Sequence, residues 1–216
     1  MIRMATDKLA AAPFSAKDFR IRATRKQNLV AHPDEDGDHR FNPENGHLIK
    51  RIGLRDAAVL IPVVDHGEEA TVIMTKRAET LRNHTGQVAF PGGRIDPEDL
   101  SPEHTAVRET GEEIGLTPSH IEVIGRMPDY VSGSGYRIAP VLAVVSPGFN
   151  LAINPHEVDQ AFEVPLRFLM DPANHHRGRR FWGEHEWFFY DMPYGEQRIW
   201  GVTAGIIRTI YERLYA

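Results

Sequence analysis

Apolar residues run with little interruption from Ala57 to Val64, a pattern that predicts a buried strand, with Pro62 marking an edge or a bulge. Asp65-His66-Gly67-Glu68-Glu69 reads as a hairpin turn, after which Ala70 to Lys76 returns as the next strand. Gln87 to Phe90 predicts a short strand that Pro91-Gly92-Gly93 ends. Ser101 to Ile114 has the marks of a helix: Ser101 as N-cap, Pro102 in the first turn, and Gly115 where a left-handed C-cap belongs. Strands follow at Ile121–Met127, Arg137–Val145 and Gln160–Val164, then a helical turn over Pro165–Met170. Phe181–Tyr190 and Gln197–Trp200 are strand-like. Ile206, Ile207, Ile210 and Leu214 fall at helical spacing and predict a closing amphipathic helix over Thr203–Leu214. Mixed strands between two long helices predict an α/β (α+β) domain layered as an α/β/α sandwich over residues 53–216.

Residues 1–52 differ in character and are read as an N-terminal arm, packed on the domain or partly mobile. Lys17, Arg20, Arg22, Arg25 and Lys26 concentrate positive charge, Phe19 and Ile21 alternate only weakly, and Ala10–Phe14 has the look of a short helix. Asp34-Glu35-Asp36-Gly37-Asp38 invites comparison with a calcium loop. Its Gly sits at the fourth position rather than the sixth and no Glu closes it, so a solvated turn is expected.

Composition narrows the classes. With 25 Lys and Arg against 30 Asp and Glu in 216 residues, the net charge of −5 gives no basic field for nucleic acid. No apolar run is long enough to span a membrane. The absence of cysteine excludes disulfides, thiolate metal sites and cysteine nucleophiles, and suits a reducing compartment. Asp7 and Lys8 stand where a secretory signal would place its apolar core, so a soluble cytoplasmic protein is expected. His66, His175, His176 and His185 lack zinc-ligand spacing and are assigned no metal.

The chemistry concentrates in Arg108-Glu109-Thr110-Gly111-Glu112-Glu113-Ile114-Gly115-Leu116. On a helix, Glu109, Glu112 and Glu113 share one face, with Val107 and Ile114 on the other side. Like charges at this spacing repel, and Arg108 alone offsets them locally. An acidic face is by itself most often a solvated one. A divalent cation would also rationalise it, because hard cations take carboxylate oxygens and bridge them to phosphates. The preceding Gly92-Gly93 favours the second reading, since paired glycines let backbone approach a metal or phosphate closely.

Gly93 to Leu116 resembles the Nudix box, G-x5-E-x7-R-E-U-x-E-E-x-G-U with U a bulky aliphatic. The second half matches at Arg108, Glu109, Glu112, Glu113, Gly115 and Leu116. In the first half Asp99 stands for Glu with one extra residue before Arg108, and Thr110 replaces the aliphatic. Upstream, Thr75 to Gly93, with Arg77, Leu81, Arg82, His84, Gly86-Gln87-Val88 and Phe90-Pro91-Gly92-Gly93, resembles the segment that marks the coenzyme A pyrophosphatase subgroup, which tends to carry the same extra box residue. The similarity continues through Asn154–Val158, Phe162–Leu166 and Ile199–Ala204.

The resemblance implies hydrolysis of coenzyme A to 3′,5′-ADP and 4′-phosphopantetheine, with Glu109, Glu112 and Glu113 holding Mg2+ or Mn2+ and Gly93 adding a backbone carbonyl. Arg108 is expected to orient the acidic cluster by ion pairing. The proton acceptor is one of the clustered glutamates or an acid elsewhere, such as Glu157. Arg77, Arg82, His84, Gln87, Gly92 and Gly93 are the expected substrate contacts; the alternative for Arg77, Arg82 and His84 is a scaffold role. Trp182, Trp187, Phe188 and Phe189 are either core or a stack for adenine. The expected partner is a small molecule, and the arm leaves room for a homodimer. Two alternatives stand beside this reading: a Nudix hydrolase of another diphosphate (ADP-ribose, a dinucleotide, an oxidised nucleotide), and a Nudix-fold binding module without catalysis.

Overall fold

A computed structural model describes residues 11–26, 36–49, 53–80 and 85–216. In chain order its main elements are α1 (Ala16–Lys26), β1 (Asp36–Gly37), α2 (Asp38–Phe41), β2 (Arg55–Asp65), β3 (Ala70–Arg77), β4 (Val88–Ala89), β5 (Gly92–Arg94), α3 (Pro102–Ile114), β6 (Ile121–Arg126), β7 (Tyr130–Val131), β8 (Tyr136–Val145), β9 (Val158–Pro165), α4 (Leu166–Leu169), β10 (His176–Trp182), β11 (His185–Tyr194), β12 (Gln197–Trp200) and α5 (Val202–Ile210).

The apolar run of β2 becomes the centre of a mixed sheet. It pairs in parallel with β8 from Arg55–Tyr136 to Val64–Val145. Its other edge is shared, with β5 against Ala57–Val59 and β3 against Val63–Asp65. Pro62 occupies the gap between those two partners, where its missing N–H costs no ladder bond; Leu60, of the same parity, donates instead to the Pro91 carbonyl. β6 and β7 extend the sheet beyond β8, and β4 and β9 extend it beyond β3.

Because strand side chains alternate, both faces of this sheet are apolar and each needs a cover. Ala58, Leu60, Ala139, Val141 and Ala143 meet Ala106 of α3, and Val64, Ile73 and Val145 meet Ile114. Ile61, Val63, Val72, Met74, Leu142 and Val144 face the other way, onto Phe19 of α1 and Ile206, Ile207 and Ile210 of α5. The result is the mixed α+β arrangement of helices on both sides of a large sheet that the pattern predicts.

Three local expectations are corrected. The helix in the arm is not at Ala10–Phe14, where residues 11–14 are coil and turn; it begins after Ser15, whose Oγ accepts the Asp18 N–H (3.1 Å) while the Asp18 carboxylate accepts the Phe14 N–H (3.1 Å). The acidic turn is not solvated in its described part. Asp36 is fully buried, pairing with Arg40 (2.8 Å) and Arg213 (2.8 Å), and β1 runs parallel to β7. Phe181–Tyr190 is not one strand: Gly183, in the left-handed region (φ 61°), turns it into the hairpin β10–β11, which β12 completes as a separate three-stranded sheet. No helix among the described residues is long and apolar enough to cross a membrane.

Phe19 lies in the same apolar cluster as the central strands, with no exposed surface. Phe19→Ala is therefore expected to lower unfolding stability by about 3–5 kcal/mol, measured by urea denaturation of the full chain; a loss under 1 kcal/mol would mean that α1 rests on the domain without belonging to its core.

Candidate active site

α3 and the glycine turn meet edge to face. Ser101 caps the helix by accepting the His104 N–H (3.2 Å), and Gly115 ends it in the left-handed region (φ 69°), so its register is fixed at both ends. Ala106, Thr110 and Ile114 point to the sheet, which turns Glu109 and Glu113 toward Gly92-Gly93 on β5. Thr110 fits this buried place because its hydroxyl donates to the Ala106 carbonyl (2.7 Å).

Both glycines are sterically required. A Cβ at Gly92 (φ 152°) would meet the β2 backbone at Ala58 and Val59, and a Cβ at Gly93 would occupy the place of the Glu109 carboxylate. Gly92 also donates its N–H to Glu113 Oε2 (3.1 Å). Glu113 is 4% exposed, and burial pushes its carboxyl up to about 7; Glu109 is raised for the same reason, and the neighbouring charge of Glu157 adds to both.

Arg108 stands at the hub of the remaining carboxylates. Its guanidinium donates to both oxygens of Asp99 (3.0 and 2.8 Å) and to Glu112 (3.1 Å), and lies 3.0 Å from Glu109. Asp99 also accepts from Thr105 Oγ1 (2.8 Å) and the Asp96 N–H (3.0 Å), and the Arg108 pairing holds it well below the usual carboxylate range. Glu112 is thereby kept at the rim, its side chain 55% exposed, while Glu109 and Glu113 face the interior of a cleft of about 980 Å3. The partnership of Asp99 with Arg108 was not anticipated; its signal lay in the Asp96-x-x-Asp99 spacing at the end of an acidic loop.

The same end of the cleft is lined by Arg77, Gln87 and Glu157. Arg77 lowers the Glu113 carboxyl through its charge, and its buried Nε has no hydrogen-bond partner among the described residues. Arg82 and His84 lie outside the described residues. Residues of the three-stranded sheet form another part of the lining. Trp187 is buried yet borders the cleft, Trp182 is 48% exposed, and Phe189 and Trp200 line the wall between them and the sheet. Phe188 does not border the cleft; its backbone N–H and C=O bond to the Asn42 side chain (2.7 and 3.0 Å). Trp200, Arg180 and Asp38 are lining residues that the sequence reading missed.

The donor set suits a hard divalent cation: two clustered carboxylates face a backbone turn that has no side chains, and the buried one, Glu113, has no salt bridge among the described residues. Among the described residues no three His, Asp or Glu side chains are already gathered as a metal site. Ions of the Mg2+ type need no such cage, because one or two carboxylates plus substrate phosphates and water complete their shell.

Residues 54–184 match the family model described as the NUDIX domain. Two proteins, both named Uncharacterized Nudix hydrolase NudL, are similar over most of the chain. That of Photorhabdus laumondii is 38% identical over 166 residues, covering 74% of this chain and 85% of its own. That of Yersinia pestis is 35% identical over 198 residues, covering 91% of each. Among solved structures, a Deinococcus radiodurans protein, DR0079, overlaps 76% of this chain and 90% of its own at 12% identity, with a TM-score of 0.49.

Two outcomes are expected from the electrostatics. With its carboxyl raised by burial, Glu113 is harmless below about pH 4.5 and destabilises the fold as pH rises toward 7. In EDTA at pH 8, Glu113→Gln should thus be more stable than the parent by about 1–3 kcal/mol, the difference vanishing near pH 4; equal thermal denaturation at both pH values would refute this. Asp99 has the opposite sign. Its stabilisation is complete above the unfolded carboxyl's pKa near 4 and is lost as pH falls, so Asp99→Asn should flatten the acid limb of a urea-stability profile between pH 5 and 2.

Proposed function

The chain belongs to the NUDIX family, and from that premise we propose that this Nudix hydrolase cleaves the diphosphate bond of coenzyme A or its acyl derivatives, giving 3′,5′-ADP and 4′-phosphopantetheine. The observation that supports this most is the convergence of two independent stretches of sequence on one cleft: Glu109 and Glu113 from the helical half of the box, and Arg77 and Gln87 from the upstream segment similar to the coenzyme A subgroup.

Nudix hydrolases use divalent ions such as Mg2+ or Mn2+. Here Glu109 and Glu113, with Glu112 from the rim and the Gly93 carbonyl, would hold them. Bound there, the ion supplies charge neutralisation and acidifies water. The protein's own share is positional. Gly92-Gly93 lets a phosphate approach the backbone with no side chain between them, and Arg77, which lines the same part of the cleft, would donate to its oxygens. Arg108, saturated by Asp99, Glu109 and Glu112, has little left for substrate and keeps the acidic side chains in place. Glu157, tethered through Oε1 by Asn154 Nδ2 (3.3 Å), faces the same space and would accept the proton of the attacking water as the P–O bond to the leaving phosphate breaks.

The deciding experiment incubates the purified chain and Mg2+ with coenzyme A, acetyl-coenzyme A, oxidised coenzyme A, ADP-ribose and NADH, with products identified by mass. Coenzyme A forms should be preferred and yield 3′,5′-ADP; EDTA should abolish turnover, and Mn2+ or Mg2+ restore it. Glu109→Gln should lower kcat by about 100-fold or more. Preference for ADP-ribose would overturn the substrate and leave the family's chemistry standing.

A further inference from the structure

The cleft has a second chemical character where the three-stranded sheet lines it. Register puts Arg180 opposite Trp187 and Gly178 opposite Phe189, while Asp191 faces Trp200, so Arg180, Trp187, Phe189 and Trp200 share one face of the three-stranded sheet. The other face carries Met192 and Ile199, both fully buried in the main core. A sheet of this size normally presents one apolar face and one polar face. This one is aromatic on the side that borders the cleft, and it keeps Trp182 (48% exposed) and Phe181 (71% exposed) at the hairpin tip, open to solvent. Large apolar side chains left uncovered beside a cavity mark a surface awaiting a ligand.

The arrangement is built for flat rings. Trp187 stands edge-on to Trp182 (5.5 Å between centroids, 80°), and Phe189 is similarly inclined to Trp200 (5.5 Å, 64°). The Phe189 ring fills the space that a Cβ at residue 178 would need, so Gly178 lets it lie down on the sheet. Of the nearby cations, Arg179 is paired with Glu186 (2.9 Å) and Arg198 is held by Asp191 (2.8 Å). Arg180 makes no salt bridge among the described residues; it sits 6.0 Å from the Trp200 ring and borders the cleft.

We propose that this aromatic wall is the subsite that fixes substrate choice, with Trp182 and Trp200 stacking on the purine base and Arg180 binding the phosphate on its ribose. The proposal rests on the diphosphate reading above and adds orientation to it: the nucleotide half lies along the three-stranded sheet, the anhydride over Glu109 and Glu113, and the aliphatic half leads outward. Flat aromatic faces would gain little from a pantetheine arm and much from a base.

The test uses the full chain in EDTA and the fragment 3′,5′-ADP, so that neither metal nor turnover enters. All three tryptophans of the sequence (182, 187 and 200) border the cleft, and their fluorescence should change saturably on titration. By calorimetry, Trp182→Ala should raise the Kd about tenfold or more, and Trp182→Phe should recover most of the loss. Arg180→Ala should erase the preference for 3′,5′-ADP over 5′-AMP while 5′-AMP still binds. No binding of 3′,5′-ADP to the parent chain, or an unchanged Kd in Trp182→Ala, would overturn the subsite. Coenzyme A hydrolysis with a tryptophan-independent Kd removes the subsite and keeps the function; tryptophan-dependent binding of the fragment without coenzyme A hydrolysis removes the function and keeps the subsite.

Discussion

Negative charge brought into a low-dielectric cleft is the constraint around which this molecule is arranged. Glu109 and Glu113 repel one another a single helical turn apart, and Glu113 is buried deeply enough that its carboxyl rises to about 7. Few local contacts relieve this. Gly92 gives Glu113 one N–H, Arg77 acts on it only through space, and Arg108 is shared among Asp96, Asp99, Glu109 and Glu112. The helix tolerates the arrangement because its opposite side is sealed on the sheet by Ala106, Thr110 and Ile114 and its ends are capped by Ser101 and Gly115. On the proposed reading, function and stability pull against each other at Glu113, as expected where a site is organised for a ligand charge rather than for the fold.

Much of this was legible in the chain. The caps of α3, the i and i+4 glutamates, the paired glycines and the strands from Ala57 to Lys76 each follow from local rules whose signals sit within a few residues of one another. What local rules did not reach has a common cause. Asp36 and Asp38 look like a solvated turn because their partners, Arg213, Tyr130 and Gly133, are distant in sequence. α1 hides its apolar stripe, Ala16, Phe19 and Ala23, among Lys17, Arg20, Arg22 and Arg25, which keep solvent-exposed surface. The aromatic run from Phe181 to Tyr190 is ambiguous for another reason: with aromatics at adjacent positions, period-two alternation cannot say which face is core. Only the pairing with β12 separates Phe188 and Met192 from Trp187 and Phe189.

Asp36 and Asp38 also explain why residues ahead of the central strands matter to the cleft. Asp36 is clamped by Arg40 and by Arg213 beyond α5, and Asp38 accepts hydrogen bonds from Tyr130 Oη (2.6 Å) and the Gly133 N–H (2.7 Å) while bordering the cavity. Removing Asp38 would strand the buried Tyr130 hydroxyl, and removing Asp36 would take a partner from Arg40 and Arg213, while Phe41 packs on the main core, so this segment is held by charge and apolar contact together. It forms the part of the wall that faces Arg180, whose charge in turn acts on Asp38.

The cleft therefore has two walls of different mechanical origin. The acidic wall stands on α3 and the central strands, whose apolar residues are buried on both faces of the large sheet. The aromatic wall stands on three strands that carry Met192 and Ile199 into the main core on one face, lay Trp187 against Ile49 and Val131 on the other, and leave Phe181 and Trp182 exposed beside the turn at Gly183. Displacing a carboxylate by an ångström alters the reacting geometry, so that wall has to be rigid. A stacking surface tolerates sliding, because a ring keeps its contact while it shifts in plane. On the proposed reading, anhydride chemistry falls to the first wall and base recognition to the second, so substitution along β10–β12 would change the bound molecule without disturbing the glutamates, a division that suits a fold serving many diphosphates.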